Sequence, residues 1–253
     1  MQQIITIRDK MMKKILLVIP AYNEEGSVAK TVQTIVDFKA SRSLPFELDY
    51  IVINDGSTDG TPELLDRLGL NHIDLVQNLG IGGCVQTGYL YANRNHYDVA
   101  VQFDGDGQHD IRSIEDVVMP ILNDEADFVI GSRFVDKKHQ NFQSTAMRRL
   151  GINLISAAIK LTTGHKVYDT TSGYRAANAA LIAYLSCHYP VQYPEPESTA
   201  RILKKGYRLK EVTANMFERE AGTSSISSLK SIFYMTDVLT SIIIAGFIKE
   251  DDK

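Results

Sequence analysis

The hydrophobic pattern begins with Lys14-Ile-Leu-Leu-Val-Ile-Pro20, a continuous apolar run closed by proline. A strand buried on both faces of a parallel sheet reads this way, because neither face is left for polar side chains. A helical rhythm follows from about Gly26 to Phe38, then a second strand, Asp49-Tyr-Ile-Val-Ile-Asn54, ends in the turn-rich Asp55-Gly-Ser-Thr-Asp-Gly60. Thr61 and Pro62 have the chemistry of a helix cap and a first helical position. The alternation continues with Ile73 to Val76 as strand, Gly82 to Arg94 as helix, Val99 to Phe103 as strand, a helix near Ile111 to Leu122, and a strand at Phe128 to Ile130. Repeated strand, helix, strand units specify a parallel, doubly wound α/β sheet whose ligands bind beyond the carboxyl ends of the strands.

From Arg133 the rhythm changes. A polar segment runs to Ser144, a helix covers about Ala146 to Leu161, a loop extends through Gly173, and a proline-rich turn spans Tyr189 to Pro196. A short helix from Ser198 to Lys205 and a strand near Leu209 to Met216 complete the pattern. Ser227 to Ile248 reads as an amphipathic helix with Ile232, Phe233, Leu239 and Ile243 on its apolar face. No domain boundary interrupts this order. Residues 1–13 read as an N-terminal arm, because Met11-Met-Lys-Lys would itself make a natural start.

At 253 residues the chain can bury a sizeable core. A net charge of −4 gives no general attraction to polyanions, so nucleic acid is not the expected partner. Cys84 and Cys187 are too few for a disulfide framework and lack metal-ligand spacing, which fits a reducing cytoplasm. Met1 to Lys13 has scattered charges where a secretory signal would have an apolar run. Val238 to Ile248 is about half the length that spans a bilayer.

The chemistry gathers at strand ends. Pro20-Ala-Tyr-Asn-Glu-Glu25, Asn54-Asp-Gly-Ser-Thr-Asp59 and Asp104-Gly-Asp-Gly-Gln-His-Asp110 would converge on one edge of a parallel sheet. Asp104 and Asp106, one residue apart in a glycine-relaxed turn, can present oxygens to a hard cation such as Mg²⁺ or Mn²⁺, which in turn neutralises a diphosphate. An isolated Asp-x-Asp is more often a solvated turn; the strand-end setting separates this one from chance. Gln108, two residues on, is placed to add to the metal or phosphate shell, whereas His109 reads as a hydrogen-bonded loop histidine.

Taken together, these ordered segments resemble the GT-A-fold glycosyltransferases of family 2 from about Lys14 to Ser225. The resemblance implies a single GT-A, Rossmann-like α/β domain over residues 14–225, with a mostly parallel central sheet flanked by helices, followed by a C-terminal helix over 226–253. It implies that Pro20, Ala21, Tyr22, Glu24 and Asp55 contact the base and ribose of a nucleotide sugar, a UDP-sugar being favoured. Asn78-Leu-Gly-Ile-Gly-Gly-Cys-Val-Gln-Thr-Gly88, with Gly83, matches the family's helix-opening nucleotide loop. Small residues there let backbone approach an anion at a helix N-terminus, although Leu79 and Ile81 stand where many relatives are basic, and a packing role for the glycines is the competing reading.

Gly131-Ser-Arg133, with Arg148 or its neighbour Arg149, resembles the subgroup that transfers sugars to dolichyl or polyprenyl phosphate, where arginines bind the acceptor phosphate. Asp169-Thr-Thr-Ser-Gly-Tyr-Arg175 resembles a segment near that acceptor site, Tyr193-Pro-Glu-Pro-Glu197 an active-site edge, and Glu218 to Ser225 a closing segment. Asp106, Arg133, Arg148 and Asp169 are thus the catalytic candidates. A lipid phosphate is already anionic and needs cations. A saccharide hydroxyl needs a base, for which Asp169, Glu195 and Glu197 are candidates. The expectation is metal-dependent, inverting transfer onto undecaprenyl phosphate for cell-envelope glycans, with transfer of rhamnose or another sugar onto a lipid-linked saccharide as the alternative and an inactive nucleotide-sugar-binding scaffold as the reading from another class. Two readings of the terminal helix stay open. It lies on the inner face of the membrane or a small membrane-protein partner, or it packs on its own domain or a second copy.

Overall fold

The computed structural model describes residues 12–135, 146–217 and 236–244. Among them the strands form one seven-stranded sheet flanked by helices on both faces. The strands are β1 (Lys14–Ala21), β2 (Glu47–Asn54), β3 (His72–Asp74), β4 (Val99–Gln102), β5 (Phe128–Ser132), β6 (Arg175–Asn178) and β7 (Leu209–Thr213). The helices are α1 (Val28–Ser41), α2 (Thr61–Leu68), α3 (Gly80–Arg94), α4 (Ile114–Leu122), α5 (Ala146–Thr163), α6 (Ala179–His188), α7 (Pro194–Lys204) and α8 (236–244). The sheet order is β3-β2-β1-β4-β6-β5-β7. All neighbours pair in parallel except at β6, which runs antiparallel to both β4 and β5.

The unbroken apolar run of β1 follows from its central place. Ile15, Leu17 and Ile19 point into a core closed by Val28, Val32 and Ile35 of α1 and Ile114 and Val117 of α4. Leu16 and Val18 point to the other face, into a core built from Cys84, Val85 and Tyr89 of α3, Ile155 and Ile159 of α5, and Leu181 and Leu185 of α6. Successive side chains alternate faces, so a strand covered on both sides has no polar position.

Two elements between the expected loop and the expected turn were not anticipated. β6 is only Arg-Ala-Ala-Asn, with no branched or aromatic residue to mark a strand. α6, Ala-Ala-Leu-Ile-Ala-Tyr-Leu-Ser-Cys-His, is apolar on most sides and carries no helical stripe. The proline-rich segment also differs from a turn: α7 starts at Pro194, four residues earlier than expected. Proline fits a helix's first turn because its missing N–H is one of those without an intrahelical partner. Likewise, Gly60 and not Thr61 occupies the cap of α2, and the Thr61 N–H and hydroxyl both donate to Asp59 Oδ1, at 3.0 and 2.6 Å.

At the end of the described chain, Val238 and Ile242 of α8 are buried in the α3–α7 core, while Leu239 is partly covered and Ile243 exposed. The face that docks is thus rotated from the expected one. Ile232 and Phe233, the arm at residues 1–11 and the Glu218 to Ser225 segment lie outside the described residues. Among the described residues no helix is long and apolar enough to cross a membrane.

Candidate active site

The ends of β1, β2 and β4 meet, as parallel strands in one sheet require. The loops after β1 and β2 are joined by Asp55 N–H donating to Ala21 O (2.8 Å), Asn23 N–H to Ser57 Oγ (2.9 Å), Thr58 N–H to Asn23 Oδ1 (2.8 Å) and Glu24 N–H to Thr61 Oγ1 (3.0 Å). The Asp104–Asp106 turn lies against the same edge: Thr31 Oγ1 of α1 donates to Gly105 O at 2.9 Å, and a Cβ at Gly105 would stand 3.0 Å from Pro20 O. Pro20 and Ala21 thus form backbone walls, Tyr22 is exposed, and half-buried Glu24 accepts from Ser27 Oγ.

Asp55 is buried and reaches the start of α3, where it accepts the Leu79 N–H at 2.7 Å. Burial pushes its pKa up, against the opposing pull of hydrogen bonds from the Leu79 and Gly80 backbone. The glycines of α3 divide by role. A Cβ at Gly88 would fall 2.1 Å from Val18 Cγ1, and one at Gly82 2.5 Å from Pro190 O, so both serve close packing. Gly83 is buried in the first turn against the Leu79 side chain, while Leu79 and Ile81 themselves are exposed.

Asp104 and Asp106 are half-buried on a turn that needs its second glycine, since Gly107 has φ of +76°. Gln108 N–H donates to Asp106 Oδ1 at 3.0 Å, and the Gln108 side chain donates to Phe217 O at 3.5 Å. Among the described residues no three His, Cys, Asp or Glu are grouped to hold a metal by themselves. A pair of carboxylates on one turn suits Mg²⁺ or Mn²⁺ completed by diphosphate oxygens and water, the usual way such ions sit beside nucleotides. His109 is buried, and desolvation lowers its pKa to about 4, so the ring is neutral near pH 7.

Arg133, just past the end of β5, is clamped. Its Nε and Nη2 donate to the two oxygens of Asp169 at 2.8 and 2.7 Å, its backbone N–H to Asp169 Oδ2 at 3.0 Å, and Nη2 also to Thr171 Oγ1 at 3.0 Å. Glu211 of β7 accepts the Tyr168 and Asp169 N–H groups at 2.7 and 2.8 Å, and burial raises its pKa. Phe134 is flanked by two guanidiniums, Arg133 at 5.3 Å and Arg149 at 3.9 Å from its ring centre. Among the described residues Arg149 Nη1 is buried with no hydrogen-bond partner. The Arg148 side chain lies outside the described residues.

The three candidate bases separate. Asp169 is locked on Arg133. Glu197 accepts from Arg201 Nη2 at 2.6 Å and from Ser241 Oγ of α8 at 2.8 Å. Glu195, half-buried behind Asp104, has its pKa raised by burial, with the Arg175 cation opposing. Several site residues were not singled out from sequence. Fully buried Arg175 donates to Ser172 O (2.6 Å), Glu195 O (2.7 Å) and Thr170 O (3.1 Å), tying the 169–173 loop to α7. Gly173 lies against Asp104, since a Cβ there would sit 2.7 Å from Asp104 Oδ2. Gln102 was signalled only as a polar residue inside the apolar run of β4.

Comparison with known proteins agrees with this geometry. A family model described as glycosyl transferase family 2 matches residues 16–184. The UDP-N-acetylglucosamine–dolichyl-phosphate N-acetylglucosaminyltransferase of Methanococcus voltae is 32% identical over 78% of this chain and 82% of its own. The undecaprenyl-phosphate mannosyltransferase of Micrococcus luteus is 30% identical over 85% of this chain and 88% of its own. In fold, the chain superimposes on glucosyl-3-phosphoglycerate synthase from Mycobacterium tuberculosis, crystallised with Mn²⁺, UDP and phosphoglyceric acid, with a TM-score of 0.66, 18% identity, and coverage of 95% of this chain and 80% of that one. With more than half of its length matched, a GT-A sheet and the acidic turn at the end of β4, the chain belongs to glycosyl transferase family 2.

Proposed function

We propose that this glycosyltransferase moves a sugar from a nucleotide sugar, with UDP as the favoured nucleotide, to a polyprenyl phosphate such as undecaprenyl phosphate, at the cytoplasmic face of a membrane that it meets peripherally. The observation that carries this is the pair of guanidiniums around Phe134, with Asp169 locked onto one of them. A cationic pocket suits an anionic nucleophile, and Asp169, one of the three carboxylates that could serve a hydroxyl acceptor as base, is committed to an ion pair. Relatives named for dolichyl and undecaprenyl phosphate support the same acceptor class.

Pro20, Ala21, Tyr22, Glu24, Asp55 and Gly83 frame the nucleotide in this reading, and Asp104 and Asp106, with Gln108 beside them, hold Mg²⁺ or Mn²⁺ against its diphosphate. The cation supplies stabilisation of charge on the leaving group. Arg133 and Arg149, or Arg148 in its place, orient the lipid phosphate behind the anomeric carbon. A phosphate oxygen forms the new bond to that carbon as the bond to the nucleoside diphosphate breaks, inverting the centre, with no proton to remove.

The test incubates membranes and purified protein with radiolabelled nucleotide sugars, undecaprenyl phosphate and Mn²⁺, followed by organic extraction. Label in a mild-acid-labile lipid monophosphate, lost in Asp106→Ala by about a hundredfold or more and by chelation, is the expected result. Label confined to saccharide supports the hydroxyl acceptor instead, and binding without turnover supports the scaffold.

A further inference from the structure

A turn with glycines at 105 and 107 does not by itself hold Asp104 in one place. We infer that His109 is a positioning residue that fixes Asp104 for the divalent cation, an inference that rests on the metal-binding reading above. His109 Nδ1 accepts the backbone N–H of Asp104 at 3.0 Å. A neutral imidazole has one acceptor and one donor nitrogen, so this bond places the proton on Nε2. Nε2 lies 3.4 Å from Asp104 Oδ2. One ring therefore meets both the backbone and the carboxylate of the same residue.

The ring cannot easily leave this position. It stacks on Tyr174 with centres 4.8 Å apart and planes at 15°, and Phe103 closes on it edge-on at 5.4 Å. Its backbone is held too: residue 109 bridges to Met216, and Phe217 N–H donates to Gln108 O at 2.8 Å. On the opposite side, Gln102 Nε2 reaches Asp104 Oδ1 at 3.4 Å, with the Gln102 amide oriented by the Tyr189 hydroxyl donating to Oε1 at 3.4 Å. Gly173 backs the carboxylate where any side chain would collide with it. Asp104 is thus held from two sides, by the His109 ring and the Gln102 amide, with Gly173 behind its carboxylate.

His109→Phe separates positioning from packing, because phenylalanine keeps an aromatic ring against Tyr174 and Phe103 but offers neither acceptor nor donor. Mn²⁺ binding in the presence of UDP is measured by electron paramagnetic resonance of the unbound ion, beside UDP binding without metal and circular dichroism. The expected result is a folded variant with roughly 10–100-fold weaker Mn²⁺ binding, the usual cost of losing a partner behind a metal ligand, and unchanged metal-free UDP binding. His109→Asn, whose side-chain oxygen can accept the Asp104 N–H, recovers part of the loss. Wild-type Mn²⁺ affinity in His109→Phe overturns the inference. If that variant does not fold, the same assay is read on His109→Asn, where weakened binding supports the inference and wild-type binding overturns it. Failure of the unaltered protein to bind Mn²⁺ with UDP overturns the metal-binding reading and this inference with it, a result told apart because it needs no variant.

Discussion

A carboxylate beside an acceptor can remove a proton or hold a cation, and the hydrogen bonds at Asp169 favour the second. Its side chain is fully buried and both oxygens are taken by Arg133, whose own side chain is only 6% exposed. Truncating one partner of such a pair leaves an uncompensated buried charge, which costs far more than the pair contributes. Asp169→Asn is therefore expected to lower the unfolding free energy by about 3 kcal/mol, read by urea denaturation. It should also raise KM for lipid phosphate while leaving UDP affinity unchanged. A loss confined to kcat, with normal stability and KM, would instead mark Asp169 as a base. At this scale the clustering of aspartates at strand ends was legible, because it is written in adjacent residues. The hydrogen-bond partners of Asp169 and Glu197 were not, since they include residues distant in sequence: Arg133 for one, Ser241 on α8 for the other.

Elements were legible where they carried periodicity. β1 and β2 declared themselves through apolar runs, whereas β6 and α6 had neither a strand's alternation nor a helix's stripe, and only their neighbours define them. β6 owes its place to pairing with β4 and β5, and α6 to burial of Leu181, Ile182 and Leu185 against α3 and the sheet. The glycines of α3 show the converse, a motif legible in sequence whose meaning depends on contact. Gly88 brings the helix onto β1 so closely that an added Cβ would meet Val18 Cγ1 at 2.1 Å, Cγ2 at 2.8 Å and Cβ at 3.0 Å. A buried β-branched side chain in a central strand has no rotamer to retreat into. Gly88→Ala is expected to destabilise by about 1–3 kcal/mol through overpacking, beyond the gain in helix propensity, visible as a lower thermal midpoint. Stability equal to or above wild type would show that the helix shifts outward without strain.

For the whole molecule, the parallel sheet with covered faces could be read from the order of its elements, but not how the last described helix joins it. Periodicity placed Leu239 and Ile243 on the apolar face and left membrane, partner and self-packing open. Burial resolves part of this, for residues 236–244: Val238 and Ile242 are fully buried beside α7, and Ser241 and Asp237 meet Glu197 of that helix and Tyr193 at its cap. Ile243 and Ile244 remain exposed on the outside. The two pairs of apolar positions then serve different solvents. Ile242→Ala removes buried methyl groups and leaves a cavity, so it is expected to cost about 2–4 kcal/mol in the protein alone, measured by denaturant titration without lipid. Ile243→Asp and Ile244→Asp stay within about 0.5 kcal/mol of wild type in the same titration. If the exposed pair lies against a lipid surface, these two variants lower cosedimentation with anionic vesicles while Ile242→Ala, where still folded, does not. Should Ile242→Ala leave stability unchanged, α8 does not pack on its own domain in solution, and the helix would belong to a surface outside this chain.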